Sequence, residues 1–127
     1  MVTEAQHTTL IEECKEWYDQ LVSYREKINN LKNELYYFAP GKTDEETRLG
    51  IEHFHNQFHI QLINIHDLKQ SIKAHERKLD LETQAFNGAA HEETVGRHEQ
   101  LHDDFRNLEQ TLTTLRSEFS EFLNTTG

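Results

Sequence analysis

"YYFAPGKTDEE", residues 36 to 46, contains the only proline of the chain, and its reading decides the fold. Pro40 cannot continue a helix, because its ring removes an amide hydrogen and crowds the preceding turn. Gly41 beside it takes the left-handed backbone of a helix end without steric cost. Thr43 and Glu46 then have the spacing of a capping box, in which each side chain pairs with an orphan amide of the other's residue. One helix therefore stops before Pro40 and another begins within a few residues of it. Working outward, "FNGAAHEE" (residues 86 to 93) repeats the punctuation with Asn87 and Gly88, and Thr3 with Gln6 offers an opening signature at the N-terminus. These signals predict one domain of three helices over about 4–38, 44–86 and 89–124.

The hydrophobic period agrees with that division. His7, Leu10, Cys14, Trp17, Leu21, Tyr24, Ile28, Leu31, Leu35 and Phe38 alternate spacings of three and four, the seam of a coiled-coil-like helix. The third segment continues in kind through His91, His98, Leu101, Phe105, Leu108, Leu112, Leu115, Phe119 and Phe122. The middle one carries Ile51, Phe54, Phe58, Ile65, Leu68, Ile72, Leu79 and Phe86, interrupted by Gln61, His75 and Glu82. Short connections make successive long helices antiparallel neighbours, so the expected fold is all-α, an up-down-up antiparallel three-helix bundle. Two extended hairpins pairing as a dimer satisfy the same pattern.

Composition narrows the partners. A chain of 127 residues suits one modest core. Its net charge of −10 repels nucleic-acid phosphates and anionic membranes, so neither is an expected partner. No stretch approaches the ~18 apolar residues of a membrane span, and residues 1 to 30 lack the order of a signal peptide. The single cysteine, Cys14, has no disulfide partner within the chain. A cytoplasmic location is the expectation that fits these features.

The layout resembles the spectrin-type three-helix repeat, on Trp17 in the first helix and Leu101, Phe105 and Leu108 in the third. The chain departs from that family in carrying Phe105 where the family tends to place tryptophan, and in its first connection. The resemblance implies a helical bundle and no more.

"RHEQLH", residues 97 to 102, spells the HExxH pattern of zinc peptidases with His98, Glu99 and His102. Two histidines one turn apart can bind zinc while the glutamate activates water. Such a site also needs a third ligand and a substrate cleft, normally beside a sheet edge, and the chain has no strand signals. With nine histidines and many glutamates, a chance match arises on the order of one time in ten. The expectation is that the protein is not an enzyme. A di-iron carboxylate site from Glu52 with His55 and Glu99 with His102 fails on distance, since folding the chain at its turns separates the halves by about 30 Å.

The same folding places His75 opposite residues near 98 to 101 and near 7 to 10. His7, His75 and His98 are thus expected in one layer, with His102 and Glu99 as further metal ligands and Glu76 and His91 nearby. Imidazoles and carboxylates are the donors a Zn²⁺ or another divalent transition-metal site draws on. The plainer expectation is a polar layer that fixes register, or one that responds to pH.

On the middle helix, His59, Ile60, Ile63 and His66 lie away from the seam and form a candidate partner-binding face. Tyr36, Tyr37 and Phe38 form an aromatic patch at the other end, expected to cover the helix end. No small-molecule substrate is identified. The sequence thus favours a non-enzymatic interaction or scaffolding module that self-associates or binds a protein partner, without a cofactor. The alternative is a metal-binding or metal-sensing bundle built on the histidine layer.

Overall fold

The computed structural model describes the backbone of residues 4–85 and 91–126, and the side chains of 7–85 and 91–125. Three helices account for nearly all of them: α1 (Glu4–Phe38), α2 (Glu45–Ala85) and α3 (Glu92–Thr126). No strand occurs among the described residues. Each pair of helices is in contact, so the chain closes as an up-down-up bundle. The start of α1 lies beside the end of α2, where His7 Nε2 is 3.2 Å from Thr83 Oγ1. The far ends of α1 and α3 meet through Phe38 and Phe122, whose rings are 5.5 Å apart.

The first turn forms where Pro40 and Gly41 require it, with Gly41 at φ 83°. Its cap differs from the expectation by one residue. Asp44, not Thr43, accepts the Thr47 backbone amide at 2.9 Å, because α2 begins at Glu45 and an N-cap side chain reaches three residues ahead. Hydrogen bonding from Thr47, by its side chain first and its backbone amide second, holds the Asp44 carboxyl below its ordinary range. Thr3, Phe86, Asn87 and Gly88 lie outside the described residues.

The seams form the core. Cys14, Trp17, Leu21, Ile28, Leu35, Phe54, Phe58, Ile65, Ile72, Leu79, Leu101, Phe105, Leu108, Leu112, Leu115 and Phe119 are buried. At the end opposite the histidines, Phe38, Phe54, Phe58, Phe119 and Phe122 stack edge to face or tilted, the arrangement ring quadrupoles favour. Gly50 belongs to this end, since a Cβ there would collide with the Phe122 ring.

Three expectations need correction. His91 is exposed and Thr94 takes its place in the seam, because α3 starts at Glu92 and its first inward turn comes later. Glu82 secures that start: its carboxylate accepts the His91 backbone amide at 2.8 Å and the Thr94 hydroxyl. Tyr36 and Tyr37 do not cover the helix end; they are 72% and 79% exposed.

The third correction is the register of α1 on α2. His7 meets Thr83 rather than His75, about two turns away along α2. The connection after Phe38 runs on past the end of α1 before α2 reverses. Phe38 is consequently level with Gly50, both packed on Phe122, and the first residues of α2 overhang. A fold taken as a tight reflection misses that overhang.

Between α1 and α3 the main polar tie is the Tyr24 hydroxyl, which donates to Glu109 at 2.5 Å. Burial, and the bond to Glu109, push the phenol up to about 12. Replacing Tyr24 by Phe deletes that donor while keeping the ring against Phe105. The expected loss is about 1 kcal/mol, read as a lower urea midpoint with unchanged slope. Among the described residues, no helix is long and apolar enough to cross a membrane.

Candidate metal centre

Towards the end of the bundle where α1 and α3 begin, each helix contributes one side chain to a single point. Cys14 comes from α1, His75 from α2 and His98 from α3, and all three are buried. One donor atom of each lies within 4.8 Å of the others. His75 Nε2 is 3.0 Å from His98 Nδ1, and Cys14 Sγ is 3.9 Å from the same Nδ1. In a tetrahedral zinc site with ordinary bond lengths, N···N is about 3.3 Å and N···S about 3.6 Å. Shifts of a few tenths of an ångström would bring both of these separations to those values.

The far nitrogen of His98 faces a carboxylate, with Nε2 3.5 Å from Glu13 Oε1. That distance is an ion-pair approach rather than a good hydrogen bond. It favours the tautomer with the proton on Nε2, which leaves Nδ1 free to accept from His75 and Cys14. A metal-bound histidine commonly offers its second N–H to a carboxylate in this way. Trp17 covers the His98 ring at 4.7 Å.

Polar pairing breaks down here and nowhere else among the described residues. His75 Nδ1, Glu76 Oε2 and His98 Nε2 are buried without a hydrogen bond. Leaving such a group unpaired costs about 1–3 kcal/mol, so three in one layer are an expensive way to fill a core.

Protonation fits a cation. Burial, the neighbouring His98 and the charges of Arg97 and Lys78 lower His75 to about 4, with Glu82 opposing. Burial also lowers His98, against the pull of Glu13. Both imidazoles are therefore neutral near pH 7, the form that coordinates. Burial, then Glu76, Glu13 and Asp80, push the Cys14 thiol up to about 12. Without an ion it stays protonated.

The structure thus brings His75 and His98 together and separates the other expected ligands from them. His7 pairs with Thr83, with Asp80 3.8 Å away. Glu99 is exposed, and His102 is half exposed, with Nδ1 3.8 Å from Asp103 and its ring against Trp17. The HExxH residues differ in burial: the His98 ring is buried beside Cys14 and His75, while exposed Glu99 and His102 line, together with His98, a groove shared with Leu10 and Glu13. Sequence reasoning missed Cys14 and Glu13 as members of the centre. Cys14 was legible as a seam residue, and a register shifted by two turns would have set it opposite His75.

His59, Ile60, Ile63 and His66 are all exposed on α2, Ile60 and Ile63 by 44% and 48%. Comparison with protein-family models, with curated proteins and with solved structures returns no match, so the spectrin-type resemblance stays at the level of heptad packing.

Proposed function

We propose that the protein is a non-catalytic helical module that binds one divalent transition-metal ion, zinc being the natural fit, at Cys14, His75 and His98. The observation that carries this reading is the convergence of three borderline donors, one per helix, in a buried layer with unpaired polar atoms. Thiolate and imidazole together suit Zn²⁺ and Co²⁺ better than Mg²⁺ or Ca²⁺, which take oxygen. Glu76, whose charge acts on Cys14 and whose Oε2 is buried and unpaired, is the candidate fourth ligand. Glu13 would hold the His98 ring.

An ion held this way would tie all three helices together at the end where His91 and Glu82 start α3. The reading is therefore of a bundle whose stability responds to metal. A peptidase reading has less behind it, since Glu99 is exposed and neither it nor His102 belongs to the buried donor group.

The test is thermal unfolding at pH 7.5 with EDTA or with excess Zn²⁺ or Co²⁺. At 100 times the dissociation constant the ion should add about 2.7 kcal/mol, a rise of roughly 10 °C for a chain of this size. Co²⁺ should also produce a near-ultraviolet thiolate-to-metal band, absent from Cys14→Ser. Loading should release one proton per ion, because a thiol of about 12 must ionise while both imidazoles are already neutral. An unchanged midpoint and no thiolate band would overturn the proposal.

A further inference from the structure

The donor layer is closed to solvent, since Cys14, His75 and His98 are 0%, 4% and 4% exposed, and an ion needs a way in. Moving a divalent ion into such a layer is costly unless opposite charge or polar ligands replace its water along the path. One groove supplies both. It lies between α1 and α3, encloses about 470 Å³, and has His98 in its wall. His98 therefore belongs at once to the buried donor group and to an opening at the surface.

The chemistry of the groove suits a cation. Glu13 lines it from α1, and Glu99, His102 and Asp103 line it from α3, with no Lys or Arg among the lining residues. Arg97, the nearest cation on α3, is exposed and donates to Gln100 at 3.0 Å. A cleft of one sign raises both the local concentration of a counter-ion and its rate of arrival. Carboxylates alone would be no more than a solvated face. What singles this groove out is the buried His98 ring, whose Nε2 has no hydrogen bond and stands 3.5 Å from Glu13 Oε1. Glu13 is itself 41% exposed and adjoins Cys14 in the chain, so its carboxylate spans the distance from solvent to the edge of the donor layer.

We infer that this groove is the port by which a divalent transition-metal ion reaches the buried centre, with Glu99, His102 and Asp103 receiving it from solvent and Glu13 passing it to His98 and Cys14. The inference rests on the metal reading of Cys14, His75 and His98 and adds to it the route of loading. An ion leaves by the path it enters, so the groove governs release as well.

Stopped-flow mixing of the full chain with Co²⁺, followed by the thiolate-to-metal band, tests it. At about 0.1 M ionic strength, Glu99→Gln combined with Asp103→Asn should slow association roughly tenfold, the lower end of what a single-sign cleft contributes. The difference should shrink at about 1 M salt, where the screening length falls to about 3 Å. Glu118→Gln combined with Glu121→Gln removes the same charge about 28 Å further along α3 and should load at the wild-type rate. Val95→Trp fills the groove without altering a donor. It should slow association and release into EDTA by the same factor, with Kd and helical content unchanged. Wild-type rates in either groove variant, equal slowing in the Glu118 and Glu121 control, or a weakened Kd in Val95→Trp would overturn the route and leave the centre standing. No thiolate band in the wild type would overturn the centre, and the route with it.

Discussion

Replacing both His75 and His98 by Leu is expected to stabilise the metal-free protein by about 3 kcal/mol, or about 10 °C in Tm, while abolishing its response to zinc. The sign follows from the pairing in the layer. His75 Nδ1 is buried and unpaired, and His98 Nε2 has only the 3.5 Å approach of Glu13; a buried group left unpaired costs about 1–3 kcal/mol. Their one shared hydrogen bond, at 3.0 Å, returns about 1 kcal/mol. Leucine has similar volume, brings no polar atom, and continues the seam of Leu79 and Leu101 on either side. A layer kept only for register would also be stabilised by leucine, since a register-fixing polar residue costs stability, so the zinc response is what separates the two. Urea unfolding of the two proteins in EDTA, and again with zinc, decides the matter. A double-leucine variant less stable than wild type would mean that the polar layer itself stabilises the fold and would remove the strongest argument for a metal centre. Greater stability with lost zinc response is the pattern of a site retained at a cost to the fold.

Most of the fold was legible because it rests on local chemistry. Pro40 and Gly41 end α1 for reasons of backbone geometry, and the seams of three- and four-residue spacing name the core residues before any packing is known. The α2–α3 register was also legible, and His75 does meet His98. What the sequence could not convey was the overhang after the first turn, since the path of residues 39–44 depends on how the Phe122 ring packs against Gly50 and Phe38. That overhang moves α1 by about two turns and exchanges His7 for Cys14 in the layer. Glu13 was hidden for a second reason: it lies one position off the seam, and only the turn of α1 against α3 directs its carboxylate to His98. The motif most easily seen, HExxH, was the least informative, because the buried stripe of α3 runs from His98 to Leu101 and Phe105 and leaves His102 at its edge against Trp17.

Acid should weaken the metal-free protein well before its carboxylates titrate. His75 has an ordinary value of 6.5 and is lowered to about 4 in the fold, mainly by burial, with His98, Arg97 and Lys78 adding to it and Glu82 opposing. Above pH 6.5 neither the folded nor the unfolded chain protonates this ring, and its effect on stability is nil. Between pH 6.5 and 4 the unfolded chain takes up a proton that the folded one refuses, so stability falls as pH falls. The full window is worth about 3 kcal/mol, of which about 2 kcal/mol is lost by pH 5, before Asp and Glu contribute much. His98 is lowered as well and shifts in the same direction. Urea midpoints at half-unit steps from pH 7.5 to 5, in EDTA, should therefore decline for wild type and stay level for the double-leucine variant. Zinc should stabilise the wild type at neutral pH and do so less in acid, because the ion must displace the Cys14 proton and must also compete with protonation of the histidines in the unfolded chain. A wild type as stable at pH 5 as at pH 7.5 would show that the histidines are not held neutral by burial, and a solvated layer of that kind would not preorganise a metal site.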